Sequence, residues 1–329
     1  MSFQKTISIY LRRARRKVCD AYFAGGKVCD AFTNERTAFA VLFLLCIAIQ
    51  AFFSYNDRIK TILEDTTMKV SVIQMNMRSL ESKANFDRAE ALVRRAAGEN
   101  SPDVVVLPET WNTGFMPAGD LAAACDEDAK SVRARFSPLA RELNVNIVAG
   151  SVSNKRGGHI YNTACVFDRA GACLAEYDKT HPFTPMGEHE VYTPGDHLVT
   201  FTLDGVRCGL LICYELRFSE LWRTLALRGA EVIFLPAQWT AARQYHWETL
   251  TAARAIENQL FVVSCNACGE RDGTVYGGFS RVIDPLGEVL AQGGREEEIV
   301  SAELDLACVA PLRARVPVFH DRRPELCRL

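Results

Sequence analysis

Two stretches of the chain end an apolar run on a residue able to do chemistry, and a third presents a lysine at the end of a strand-like segment. In Val104-Val-Val-Leu-Pro-Glu-Thr110 a strand-like run meets a proline and then the acid Glu109. A carboxylate at a strand's end is well placed to face a cleft and hard to bury unpaired. The plainer alternative is a surface or helix-capping glutamate. In Arg207-Cys-Gly-Leu-Leu-Ile-Cys-Tyr-Glu-Leu-Arg217 an apolar strand stops at Cys213 and a polar turn follows. A thiol at such an elbow sits near backbone N–H groups that favour its thiolate and can later hold an oxyanion, so Cys213 is a candidate nucleophile. The alternative is a core cysteine like its neighbour Cys208. The third stretch, Glu176-Tyr-Asp-Lys-Thr-His-Pro182, presents Lys179, which by itself reads as a solvated charge at a strand end.

The elements that must position these residues alternate in type. Short β-branched runs at 70–74 and 104–107 predict buried strands. Between them Phe86, Ala89, Leu92, Val93 and Ala96 recur at helical spacing. Further strands are expected at 146–149, 164–167, 198–203, 208–212, 232–235 and 261–264, and helices at 131–143, 219–228 and 246–258. Strand–helix alternation predicts an α/β fold with helices covering sheet faces. Turn signals at Asp204-Gly205 and around 284–287 add some antiparallel pairing.

Taken together, the three chemical stretches resemble the nitrilase, or carbon–nitrogen hydrolase, superfamily, whose Glu–Lys–Cys triad sits in three strand-end motifs in this order. The matches are Leu107-Pro-Glu-Thr110, Tyr177-Asp-Lys-Thr-His181 and Ile212-Cys-Tyr-Glu-Leu-Arg-Phe218. Gly187-Glu-His-Glu-Val-Tyr-Thr-Pro-Gly-Asp196, Leu235-Pro-Ala-Gln-Trp239, His246-Trp247 with Ala253-Arg-Ala-Ile-Glu-Asn-Gln259, and Phe279-Ser-Arg-Val-Ile-Asp-Pro-Leu-Gly-Glu288 extend the likeness across 68–329. Within the superfamily the chain is similar to the omega-amidase branch, on Trp111-Asn-Thr-Gly-Phe115, the turn at Trp239 and His246-Trp247. The resemblance implies a four-layer α-β-β-α sandwich, a homodimer or larger homo-oligomer, and a small-molecule amide substrate.

It also implies roles. Cys213 attacks the amide carbonyl, Glu109 carries the proton, and Lys179 holds the oxyanion with the backbone N–H of Tyr214. Glu188 is the fourth participant, orienting Lys179 and keeping it charged, with Glu190 as its local competitor. Trp239 belongs to the substrate site. Arg217, Arg243 and Arg281 are candidates for a carboxylate on a dicarboxylic omega-amide, since a guanidinium fork matches that geometry. Arg254 and Glu257, three apart on one helix, are expected to pair. Glu215 stands where many relatives carry Asp, which bears on substrate fit. His181, His189 and His246 are too irregularly placed for a metal site, and the implied chemistry needs neither metal nor cofactor. Rival activities are a carbamoyl-amine hydrolase or nitrilase, a membrane acyltransferase, and a non-catalytic scaffold.

Bulk properties set limits. The 329 residues, 48% of them apolar, suffice to bury a sizeable core, and a net charge of −2 gives no case for nucleic-acid binding. Residues 1–36 hold eight Lys/Arg against Asp20, Asp30 and Glu35, a balance of +5 that leaves −7 for the rest. They contain an unexplained echo, Lys17-Val-Cys-Asp-Ala21 and Lys27-Val-Cys-Asp-Ala31. Residues 37–55 form an apolar run that just reaches the ~20 residues a membrane span needs. The expectation is a cytoplasmic-type catalytic domain with a single N-terminal anchor. The alternatives are a buried or interfacial helix, or an extension absent from the working protein. The twelve cysteines, irregularly spaced, read mostly as free thiols, and Cys265-x-x-Cys268 as two core residues with no second pair for a zinc site.

Overall fold

The computed structural model describes residues 67–326. The basic segment 1–36 and the candidate span 37–55 lie outside the described residues. Among the described residues no helix is long and apolar enough to cross a membrane.

The described chain is built from two similar halves. In the first, β1 (Thr67–Gln74), α1 (Ser82–Asn100), β2 (Val104–Val106), α2 (Leu121–Ala124), β3 (Asp126–Glu127), α3 (Lys130–Leu143) and β4 (Asn146–Arg156) lead to an antiparallel pair, β5 (His159–Phe167) and β6 (Cys173–Asp178). A short helix α4 (Glu188–Val191) bridges to the second half. There β7 (Thr200–Leu203), β8 (Val206–Leu210), α5 (Ser219–Leu227), β9 (Val232–Ala237), α6 (Gln244–Asn258) and β10 (Phe261–Asn266) repeat the strand–helix alternation. The hairpin β11 (Cys268–Arg271) and β12 (Thr274–Gly277) follows, then β13 (Arg281–Ile283), β14 (Val289–Gln292), β15 (Glu298–Asp305) and α7 (Val309–Arg315).

The first sheet runs β15-β1-β2-β4-β5-β6, with β3 also on β4, and the second runs β14-β13-β10-β9-β8-β7. The central trios β1-β2-β4 and β8-β9-β10 are parallel, as crossover helices require, the short β3 also joins β4 in parallel, and the other flanking strands are antiparallel.

Period-two alternation explains the layering. Val70, Val72, Val104, Val106, Val148 and Val166 turn inward to a core shared with Leu210, Phe234 and Val262 of the second sheet. Their strand neighbours Ile73, Val105, Leu107, Ile147 and Phe167 turn outward onto Phe86, Val93, Val132 and Phe136 of α1 and α3. Trp222 and Leu225 of α5 and Trp247 and Ala255 of α6 complete the other side. The result is the four-layer α-β-β-α sandwich.

Most expected elements are present, with shifts that have local causes. The strand expected at 208–212 ends at Leu210, because the Ile212 N–H is taken by the Glu215 side chain. Asp204 and Gly205, at φ 46° and 84°, form the expected tight hairpin between β7 and β8. β6, the edge strand implied by reading Lys179 as a strand-end charge, is present and half-covered, although no range was expected for it.

Candidate active site

Glu109, Lys179 and Cys213 follow the C-terminal ends of β2, β6 and β8, and each exit is fixed by its own packing. Beyond β2 the Leu107–Pro108 peptide runs against a bulge in β4, where Gly150 adopts φ 58°. A Cβ at Gly150 would lie 2.0 Å from the Pro108 carbonyl oxygen, so only glycine permits the approach that delivers Glu109 to the cleft. Beyond β6, Lys179 N–H donates to the Asn162 carbonyl of β5 at 2.9 Å, and Lys179 C=O accepts from Gly195 N at 2.9 Å. Beyond β8, Cys213 occupies the left-handed region at φ 49°, a strained conformation for a non-glycine residue.

Glu215 holds that strain. Its buried carboxylate accepts from Ile212 N at 2.7 Å on one oxygen. The other accepts from Tyr177 Oη at 2.7 Å, Thr180 N at 2.7 Å and Thr180 Oγ1 at 2.6 Å. The expectation that Glu215 bears on substrate fit is therefore corrected: the side chain is fully buried and ties the Cys213 elbow to the strand end that carries Lys179.

The charged residues form one desolvated cluster. Lys179 Nζ donates to Glu109 Oε1 at 2.8 Å and to Glu188 Oε1 and Oε2 at 3.0 and 2.8 Å. Glu109 Oε2 accepts the backbone N–H of Gln238 at 2.8 Å. All three charged side chains are at most 1% exposed. Glu190, the competitor for the second acid, points to solvent with a side chain 76% exposed. Burial works against the charge of Lys179, but Glu109 and Glu188 outweigh it and hold its proton affinity well above the ordinary lysine value. Burial, then the Glu109 charge, pushes Glu188 up, against the pull of Lys179. Burial and Glu109 likewise push the Cys213 thiol well above its usual range, against Lys179. Burial and the neighbouring carboxylate thus both favour the protonated form of this thiol.

The cleft in front of Cys213 has a volume of about 350 Å³, counting its open mouth, and is lined by Phe115, Phe183, Tyr214, Arg217, Trp239 and Arg243 among others. The Arg217 guanidinium lies 4.9 Å from the Trp239 ring centre and donates to His246 Nδ1 at 3.1 Å. The Arg243 guanidinium lies 5.1 Å from the Phe183 ring. Arg281 is not part of this lining: it is buried and donates to the Glu248 carbonyl at 2.8 Å, so its role is to brace α6. Arg254 pairs with Glu257 at 2.8 Å as expected, and also holds the Leu216 carbonyl.

Two contributors escaped the sequence reading. Asn162, in the middle of β5, donates to both Glu109 and Glu188. Gln238, inside a stretch noted for its tryptophan, supplies the N–H on Glu109 and donates through Nε2 to the Glu109 carbonyl at 2.8 Å. The only local signal was a polar amide: Asn162 within β5 and Gln238 directly after the apolar strand β9. Cys265 and Cys268 are core thiols whose Sγ atoms donate to carbonyls of β1.

Residues 69–314 match the family model described as carbon-nitrogen hydrolase. The chain belongs to that family. This carbon–nitrogen hydrolase is 41% identical over 257 residues to the 2-oxoglutaramate amidase of Bacillus subtilis, covering 78% of this chain and 98% of that one. It is 34% identical over 273 residues to the omega-amidase NIT2 of Bos taurus, covering 79% and 96%. Among solved structures it resembles the amidase of Nesterenkonia sp. AN1 carrying the acetamide moiety of fluoroacetamide on its active-site cysteine, with TM-score 0.71, 27% identity, and coverage of 79% and 95%. The carbon–nitrogen hydrolase is an amidase of the nitrilase superfamily.

Proposed function

We propose that residues 68–329 form a cysteine-dependent amidase that hydrolyses the amide of a small dicarboxylic omega-amide, 2-oxoglutaramate-like, to acid and ammonia through a thioester. The observation that carries the substrate class is the pair Arg217 and Arg243 in the cleft that Cys213 opens into. Neither has an acidic partner among the described residues. Burial, then the neighbouring Arg243 charge, lowers the proton affinity of Arg217, so two like charges share a largely apolar cleft. A carboxylate is the group that such a pair lacks. The names of the amidase relatives from Bacillus subtilis and Bos taurus support the same class.

The chemistry runs through the buried cluster. As Cys213 Sγ bonds to the amide carbon, its proton passes to Glu109. Lys179 and the Tyr214 N–H, an amide in the first turn after Cys213 with no intrahelical partner, receive the developing oxyanion. The carbon–nitrogen bond then breaks as Glu109 gives the proton to departing ammonia. Water enters, Glu109 takes its proton, the thioester breaks, and the acid leaves with the thiol restored. Glu188 keeps Lys179 charged throughout. A homodimer or larger assembly belongs to the same reading, with Tyr245 and Ile256 exposed on α6 as surface for it.

Ammonia release from an omega-amide, its neutral diamide, a carbamoyl amine and a nitrile tests this. The omega-amide is expected to be preferred, and Arg217→Ala or Arg243→Ala to raise KM for it about tenfold or more while leaving the diamide rate little changed. Equal use of the charged and neutral amides would remove the substrate class.

A further inference from the structure

The cluster contains an electrostatic difficulty that the triad leaves unsolved. Two carboxylates, Glu109 beyond β2 and Glu188 on α4, share the single ammonium of Lys179 in a site closed to water. Like charges in such a site favour taking up a proton. A protonated Glu109 could not serve as base. The next cation, the buried Arg271 guanidinium, lies against the Tyr276 ring and donates to Gln238 Oε1 at 3.1 Å and to the Cys268 carbonyl at 2.7 Å, so its hydrogen bonds go to neither carboxylate. Burial favours the uncharged forms of the Cys213 thiol and of the Tyr192 phenol, which bonds Ser153 Oγ at 2.7 Å.

Asn162 supplies what is missing. It is 1% exposed, and its Nδ2 donates to Glu109 Oε1 at 2.8 Å and to Glu188 Oε1 at 3.1 Å. One amide group thus gives a hydrogen to each carboxylate. Its Oδ1 is buried with no partner, so the orientation is fixed by the donors: a flipped amide would turn that oxygen onto two anions. The Asn162 carbonyl also holds the Lys179 N–H, so one residue positions both signs of charge. Leaving a buried oxygen without a partner costs stability, a cost offset here by the two bonds at the amide's other end.

We propose that Asn162 is a positioning residue that keeps Glu109 and Glu188 ionised together around one lysine, and so sets the lower pH bound of activity. It rests on the reading of Glu109 as base. Hydrogen bonds to the charged form of a carboxylate favour that form, so removing the donor makes the pair bind a proton more readily. The base is then available only at higher pH.

The test is the pH dependence of kcat/KM in the full chain for Asn162→Ala and Asn162→Asp, the second nearly the same in shape. The acid limb is expected to move up by about one pH unit in Asn162→Ala, which removes one charge-assisted hydrogen bond from each carboxylate. It moves further in Asn162→Asp, where a third acid joins the pair, and the rate recovers toward the parent value at high pH. If Asn162→Ala does not fold, Asn162→Ser, whose hydroxyl keeps one donor, is expected to show an intermediate shift. A uniform loss of rate with the limb unmoved in every folded variant would overturn the proposal. Glu109→Gln separates the two levels: if it keeps turnover, the base assignment falls, and if it is inactive while the limb stays still, only the role of Asn162 falls.

Discussion

Cys208 and Cys213 lie on the same strand and its exit, both buried, both with thiols pushed up by desolvation. They differ in what surrounds the sulfur. Cys208 sits in regular β8 and its Sγ donates to the Val206 carbonyl at 3.5 Å, among apolar side chains. Cys213 sits past the strand in a left-handed elbow, facing a cleft, with Glu109 and Lys179 acting on it in opposite directions. Burial alone therefore does not make a nucleophile. A buried carboxylate and a buried ammonium acting on the sulfur are what separate the two thiols, and the proposed mechanism makes them base and oxyanion partner.

That contrast can be broken at its strongest point first. Cys213→Ala is expected to lower kcat by at least ~10⁴-fold with the melting transition little changed, measured by ammonia release and calorimetry. Retained turnover would erase the distinction between the two cysteines. Lys179→Met removes the cation and leaves two buried acids opposed. It should cost about 10²–10³-fold in kcat, the value of one oxyanion donor, and more if Glu109 takes up a proton. A loss confined to KM would show that Lys179 binds ground state and transition state alike. Cys208→Ala lies at the small end: full activity, with stability lowered by about 1 kcal/mol. A large drop in kcat there would mean that the inner core transmits to the elbow.

How much of this was legible depended on whether a residue's role is local. The β-branched runs and helical periods placed the alternating elements, and the resemblance supplied the layers. Cys213 and Glu109 were readable because each ends an apolar run, a feature written in adjacent residues. Lys179 was not readable alone, since a strand-end lysine is solvated unless something far away in sequence buries it. Asn162 and Gln238 act only through the register that brings β5 and the exit of β9 against Glu109, and no local pattern encodes that. Arg281 was grouped with Arg217 and Arg243 because charge says nothing about direction. Its place in β13 turns it to α6, while the turns after β8 and β9 aim the other two at the cleft. Glu215 was misread for the same reason, its carboxylate spending both oxygens on backbone and hydroxyl donors inside the protein.

The most direct test of the central claim is mass spectrometry of the full chain quenched during turnover of an omega-amide, using Glu188→Ala to slow release, followed by peptide mapping of each cysteine. An acyl group one substrate less ammonia in mass, carried by residue 213 alone, is the predicted result. An adduct on a different cysteine, or steady ammonia release with the sulfur of residue 213 chemically blocked, would contradict the account.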